Sequence, residues 1–449
     1  MPLVVFPIQH RRHSNIMIRQ KPGSFKVEKS DSSLTSFAGL PIISDLAHSC
    51  GLIKQLNAIE GLWKRRRDYS TADHVMSLAL TLIAGGERLD DTRLLKNDAI
   101  VSDLNITAIP SSNTAGVFLK RFSHRTIAAL ARAALVPAVF ALKQLKTATI
   151  DIDSSLIESD KENAAFTYKK FSGYNPMLAW CPEAEIFLAC LFRNGNASPQ
   201  SHILETLKYC RDKFNKDTHL RFRSDSAGYQ LKIMEYCAAQ GLDFTITADK
   251  DISVQNVIDS IPKQDWRLMI KDGETFTFAE TVHAPGVTNL RKKLPAFRLV
   301  VTRKLRCQLE LFKDVFIDHA IISNFPAEYS AEDILNQHNA RGNAEKAIEE
   351  LKNGFALAKL PCGELAANAA YAQICILAYN LVSLFKKAAL PQDWASYRIK
   401  NLRFRLLCGA ALVVKHARTT IIKLHKNFTF FNVFERARWA VLSPSLSGA

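Results

Sequence analysis

The sequence predicts an α/β protein. A mixed sheet flanked by helices is interrupted by an all-β insertion and lies between helical N- and C-terminal regions. Three observations predict this. Residues 147–249 alternate period-two apolar runs with helical stretches. Residues 250–330 carry strand-like runs in close succession. Residues 1–146 and 363–449 place apolar residues mainly at helical spacing.

The chain has 449 residues, enough for a large core. Its 47% hydrophobic content excludes a disordered chain. Lys plus Arg total 59 against 43 Asp plus Glu, a formal charge of +16. Such an excess fits a polyanionic partner, nucleic acid before an anionic membrane surface. The nine cysteines are scattered with no Cys-x-x-Cys pair, which argues against a zinc ribbon or redox dithiol. They read as free thiols of a reducing cytoplasm. Met1 to Lys21 lacks the apolar core of a secretory signal. The apolar stretches Thr126–Leu142 and Ala369–Phe385 contain Arg132, Pro137, Gln373 and Asn380, so they read as core helices and no membrane contact is expected.

Residues 1–23 read as a loose basic tail and Ser24–Lys29 as a short strand. Ser36–Gly51 and Tyr69–Gly85 are helical by pattern, with Asp73 leading or capping the second. Trp63-Lys64-Arg65-Arg66-Arg67 reads equally as a phosphate contact or a solvated basic loop. Ile109-Pro110-Ser111-Ser112 opens a helix from Asn113 to Phe122, whose far end is basic. A helix-turn-helix over residues 70–125 fits this pattern. Residues 1–146 are thus read as a helical DNA-binding region.

From Thr147 the texture changes. Asp151 and Asp153 are two apart on one strand, so both point to one face. Burying two like charges there is costly unless a cation compensates. Met177–Cys181 and Glu185–Phe192 read as a hairpin, Pro199–Phe214 as a helix and Leu220–Asp225 as a strand. Ala227–Ala239 is helical and Asp243–Ala248 is a further strand. Placing the first and fourth strands side by side brings Asp153 to Asp225.

The β-rich segment 250–330 is basic, through Arg291, Lys292, Lys293, Arg298, Arg303, Lys304 and Arg306. It reads as a DNA-tracking surface or as charge-protected strand edges. Ser330–Ala358 then reads as one helix opened by Ser330 and Asp333. At helical spacing His338, Arg341, Glu345 and Lys352 share one stripe, with a carboxylate among cations. Glu364–Leu390 is a long helix, followed by basic segments read as helical.

These stretches resemble the DDE-group transposases of bacterial insertion sequences. The resemblance rests on His338-x2-Arg341-x3-Glu345-x6-Lys352, where the family has Tyr-x2-Arg-x3-Glu-x6-Lys. It rests also on Arg223-Ser224-Asp225-Ser226-Ala227-Gly228-Tyr229, similar to the family's second-aspartate motif, and on the Arg193-Asn194-Gly195-Asn196 turn. The resemblance spans about Ser24 to Arg438. It implies a ribonuclease-H-like catalytic core in residues 147–249 and 331–362, split by the β-rich insertion 250–330. It implies a triad of Asp153, Asp225 and Glu345 that holds two Mg2+ ions, with Mn2+ as substitute. Asp151 competes with Asp153 for the first place; Asp153 is favoured because it directly precedes Ser154-Ser155. His338, Arg341 and Lys352 are implied DNA contacts.

The implied partners are double-stranded DNA, as terminal inverted repeats and target, and a second copy in a homodimer assembled on DNA ends. The implied location is the bacterial cytoplasm, at the nucleoid. The implied activity is cleavage of element ends and their joining to target DNA, because a metal pair activates the attacking oxygen and stabilises the leaving one. Two alternatives stay open. One is a catalytically silent, transposase-derived DNA-binding protein; the other is a ribonuclease-H-like nuclease without strand transfer.

Overall fold

Thr147–Ser154 forms strand β1 at the heart of a nine-stranded sheet. Ala148 to Ile152 are all buried, as expected of a strand covered on both faces. The computed structural model describes residues 25–63, 68–271, 273–286, 295–307, 315–417 and 419–443. The chain divides into two compact units, residues 1–33 and 34–449. In the first, residues 25–33 form no helix or strand, so the strand expected at Ser24–Lys29 is absent over its described part. Phe25 and Val27 are exposed there and have no sheet to join.

The other strands of the sheet are β2 (Met177–Cys181), β3 (Ile186–Leu191), β4 (His219–Ser224) and β5 (Asp243–Thr247). They continue with β6 (Arg267–Lys271), β7 (Glu274–His283), β8 (Phe297–Cys307) and β9 (Val315–Ser323). Across the sheet they run β6-β7-β8-β9-β5-β4-β1-β2-β3. β1, β4 and β5 are parallel to their neighbours in that trio, and the remaining pairs are antiparallel. The expected neighbourhood of first and fourth strands is therefore formed. This is a mixed α/β architecture consistent with a ribonuclease-H-like core.

Residues 250–330 carry four strands but open with a helix over Ile252–Asp259, so they are not the all-β insertion expected. β9 pairs with β5, so the four added strands lengthen the main sheet rather than folding apart. Otherwise the edge of β5 would carry unpaired backbone groups, which a further strand satisfies. Three of the described basic residues of this segment are held in ion pairs. Arg298 pairs with Glu280, Arg303 with Asp318 and Lys304 with Glu274. Arg291, Lys292 and Lys293 lie outside the described residues, as do Lys64 to Arg67.

Before the sheet come α1 (Leu40–Ser49), α2 (Thr71–Ala84), α3 (Ser112–Leu119), α4 (His124–Ala134) and α5 (Val136–Lys143). A capping box between Ser70 and Asp73 starts α2, as its sequence predicts. Every residue of α2 except Ala84 is buried. α2 is sealed in the core, while α3, the later helix of the expected helix-turn-helix, leaves Asn113 and Val117 exposed.

Helices α6 (Ile203–Arg211) and α7 (Leu231–Gln240) link the parallel strands, and α8 (Ile252–Asp259) follows β5. After β9 come α9 (Ala331–Asn339), α10 (Gly342–Gly354) and α11 (Leu365–Ala389). α11 is long and apolar enough to cross a membrane, yet most of it is buried inside the protein. It packs against α1, α2, α3, α4 and α5 and on the edge strand β3. One core thus joins the N- and C-terminal regions that the sequence treats as separate. Asn380 ties it to the sheet. Its amide accepts from Phe187 N and donates to the carbonyls of Phe187 and Ala134. Ala411–His416 (β10) and Thr419–Leu424 (β11) form a hairpin where helix was expected. Val and Ile run through both strands, and β10 gains Leu34–Thr35 as a second neighbour. Phe431–Val441 (α12) closes the described chain.

Candidate active site

β1 and β4 run parallel with Asp151 opposite Arg223. Two residues farther along each chain stand Asp153 and Asp225. The two carboxylates therefore leave neighbouring strands at their C-terminal ends, where ligand sites form in open parallel sheets. Asp225 opens a short turn over Ser226–Gly228, and its Oδ1 accepts from Ala227 N at 3.0 Å and Ser224 Oγ at 3.4 Å. Those bonds fix its orientation. A side chain at Gly228 would sit 2.6 Å from Ser224 Oγ, so the turn requires glycine.

The third carboxylate arrives on α10. The single helix expected over Ser330–Ala358 is broken at Ala340–Arg341 into α9 and α10. Gly342 and Asn343 flank the break and are weak helix formers. His338 and Glu345 thus lie on separate helices, with His338 bonded to β5 and Glu345 to Arg341. His338 is buried, its ring nitrogens 3.2 Å from Thr245 Oγ1 and 3.0 Å from Thr247 Oγ1 on β5. Burial pushes its imidazole down to about 3, so the ring is neutral near pH 7. It is not positioned to contact phosphate, contrary to expectation.

Arg341 and Glu345 do face the strand ends. Arg341 Nη1 donates to Asp153 Oδ2 at 3.0 Å and Nη2 to Glu345 Oε1 at 2.6 Å. The guanidinium thus bridges two of the three carboxylates. Burial, and then the negative charge of Asp225, push the Asp153 carboxyl up to about 6; Glu345 adds to the rise and Arg341 opposes it. Asp153 therefore feels the charge of both Asp225 and Glu345. Lys352, about two turns farther along the same face of α10, donates from Nζ to Leu156 O at 2.8 Å and Ser155 Oγ at 3.3 Å. Burial lowers its pKa, which favours a partner that restores charge. A cavity of about 310 Å³ opens between these groups, lined by Asp153, Ser155, Glu345, Glu349 and Lys352.

Asp151 is spoken for. Arg223 Nε and Nη2 donate to its two oxygens at 2.5 and 2.6 Å, and both side chains are almost wholly buried. Of the two alternatives for the first carboxylate, Asp153 is the one open to the cavity. The role of Arg223 is missed at sequence level. Its signal was an Arg two residues before Asp225, matching an Asp two residues before Asp153.

The donors suit a hard divalent cation, since Asp153, Asp225 and Glu345 offer only oxygen. Burial first, and neighbouring carboxylates second, disfavour the charged Asp153, and a bound cation would favour it. Among the described residues no group of three His, Cys, Asp or Glu side chains stands close enough to hold a metal as arranged. Arg341 lies between two of the candidate ligands.

The family model described as transposase DDE domain group 1 matches residues 20–443. The chain belongs to this family. Membership in the DDE transposase superfamily brings with it the general function of DNA cleavage and integration, performed by an enzyme that typically uses Mg2+. The chain is also similar to a solved piggyBac transposase, a synaptic complex with hairpin DNA. The identity is 10% and the TM-score 0.44, over 83% of this chain and 82% of that one. No curated protein matches the chain. Within this DDE transposase, Arg193 and Gly195 of the Gly-Asn turn are structural. Arg193 donates to the carbonyls of Asn175, Ser198 and Ser201. A side chain on Gly195 would meet Ala165 O at 2.4 Å.

Proposed function

We propose that this protein cleaves the ends of an insertion sequence and joins them to target DNA, with Asp153, Asp225 and Glu345 as the triad. The observation that supports this most is that Arg341 bridges Asp153 and Glu345 beside a cavity, while Asp225 leaves the neighbouring strand end near enough to raise the Asp153 carboxyl. These carboxylates would hold the divalent cations. Bound magnesium would supply activation of the attacking oxygen and charge stabilisation at the leaving one. The chain's own groups do the remaining work. Asp225 is fixed by its turn, and Asp153 by its strand. Arg341 offsets the charge of Asp153 and Glu345, and its guanidinium would suit a phosphate oxygen as well. Lys352 offers a second positive charge at the far side of the cavity. The partners in this reading are terminal repeats, target DNA and a second copy assembled on the DNA ends.

Glu345→Gln tests it. Mg2+-dependent cleavage of terminal-repeat DNA is expected to fall by at least about a thousandfold, since a ligand of the catalytic cation is lost. Binding to the same DNA is expected to persist. Cleavage at the wild-type rate in that variant sinks the assignment. A second reading, a DNA-binding protein that does not cut, draws on one observation: the carboxylates are not arranged for a metal while Arg341 spans them. Strand cutting by the wild-type chain in Mn2+ rules that reading out.

A further inference from the structure

We infer that Arg223 is a positioning residue that fixes the spacing of the three carboxylate-bearing segments; the inference rests on the triad reading above. Arg223 lies on β4, two residues before Asp225. Its guanidinium holds both oxygens of Asp151 on β1, two residues before Asp153. Its remaining terminal nitrogen, Nη1, donates to Gln337 O at 2.5 Å, near the C-terminal end of α9. One side chain therefore grips the two strands and the helix end that lead to Asp153, Asp225 and Glu345. The planar fork of arginine makes these directions rigid, which a lysine could not do.

Two neighbouring contacts share the duty. His338, the next residue after Gln337, is held by Thr245 and Thr247 of β5. Gln337 Nε2 donates to Thr149 Oγ1 of β1 at 3.4 Å. The end of α9 is thus fastened to β1, β4 and β5 just before the break that aims Arg341 and Glu345. Glu345 itself is more than half exposed and, among the described residues, bonds to Arg341 alone, so its placement follows from that of α9. A buried ion pair is weak evidence for stability, because well-packed neutral residues often replace it at no loss. Its geometric grip on three segments is what neutral residues could not reproduce.

The test separates position from stability in the full chain. Mn2+ binding is followed by the electron paramagnetic resonance of free Mn2+, and folding by thermal melting. Removing both partners, as Asp151→Asn with Arg223→Met, avoids an unpaired buried charge and is expected to keep the melting temperature near wild type. Mn2+ affinity is expected to stay about 10- to 100-fold weaker, the usual scale for losing support behind metal ligands. Wild-type Mn2+ affinity in a folded double variant overturns the inference. Should the double variant fail to fold, Arg223→Lys keeps the charge without the fork. It is expected to bind Mn2+ several-fold more weakly, and unchanged affinity overturns the inference equally. Wild-type Mn2+ binding that Glu345→Gln leaves untouched is a different result: it removes the triad reading, and the role of Arg223 with it.

Discussion

Asp151 and Asp153 stand two residues apart on one face of β1, and each is bound by an arginine, yet they have opposite fates. The Asp151 pair with Arg223 is sealed, with side-chain exposures of 1% and 2%. The Asp153 pair with Arg341 is ajar, at 20% and 21%, and Arg341 divides itself between Asp153 and a Glu345 that is 55% exposed. In the first, both carboxylate oxygens are used and nothing can enter. In the second, one arginine serves two carboxylates, and Asp225 at the next strand end adds negative charge beside Asp153. Residue type is the same in both. Closure makes one a clasp and leaves the other a site.

The sharpest way to break this contrast is to remove one partner from each pair. Asp151→Asn leaves Arg223 charged and buried, and is expected to cost about 3–5 kcal/mol of stability in urea unfolding. Arg341→Met opens a pair that water already reaches, and is expected to cost about 1 kcal/mol or less. Equal losses would show that the two pairs are energetically alike.

A smaller effect follows from the raised Asp153 carboxyl. Its folded value of about 6 lies above the ordinary 3.8. Between those values the folded protein binds the extra proton, so stability falls as pH rises through that window and stays lower above it. Asp153→Asn removes the burden. Metal-free variant is expected to melt higher than wild type at pH 7, by about 1–2 kcal/mol of stability, with little difference near pH 4. A lower melting temperature at pH 7 would mean that the Arg341 pairing outweighs the crowding of charge.

The smallest effect concerns His338, which the same comparison places on the clasp side. Its folded value of about 3 lies below the ordinary 6.5, so the unfolded chain takes up the proton first. Wild-type stability is therefore expected to decline as pH falls below about 6.5, by up to about 1.4 kcal/mol per pH unit from this residue. His338→Gln is expected to flatten that decline in melting curves between pH 7 and 5.5. An unchanged slope would assign the acid sensitivity elsewhere, with His74, pushed down to about 4 by burial, as the next group to replace.

Much of the fold is legible in the sequence. β2 and α11 fall almost where their patterns place them, because long apolar runs of fixed period leave few choices. The helix over Ser330–Ala358 is half legible. Its start is written in Ser330 and Asp333, but its break at Ala340–Arg341 is not, since one glycine inside a helical pattern is usually tolerated. The hairpin of β10 and β11 is hidden by its basic residues, which suit an exposed helix as well as exposed strands. The candidate site is legible as a set of residue types and illegible as a set of roles. Spacing marks His338 and Asp151 as readily as Asp153, and only their partners tell them apart.

The sequence by itself determined which carboxylates and cations exist, the order of strands that carries them, and the family whose pattern they match. These are local properties, set by residue type and period. Tertiary structure decided that Asp151 and His338 are sealed, that the inserted strands extend the main sheet, and that Arg341 spans Asp153 and Glu345. Those outcomes depend on which segment lies against which. Burial fixes both the charge a group can bear and the partners it can reach.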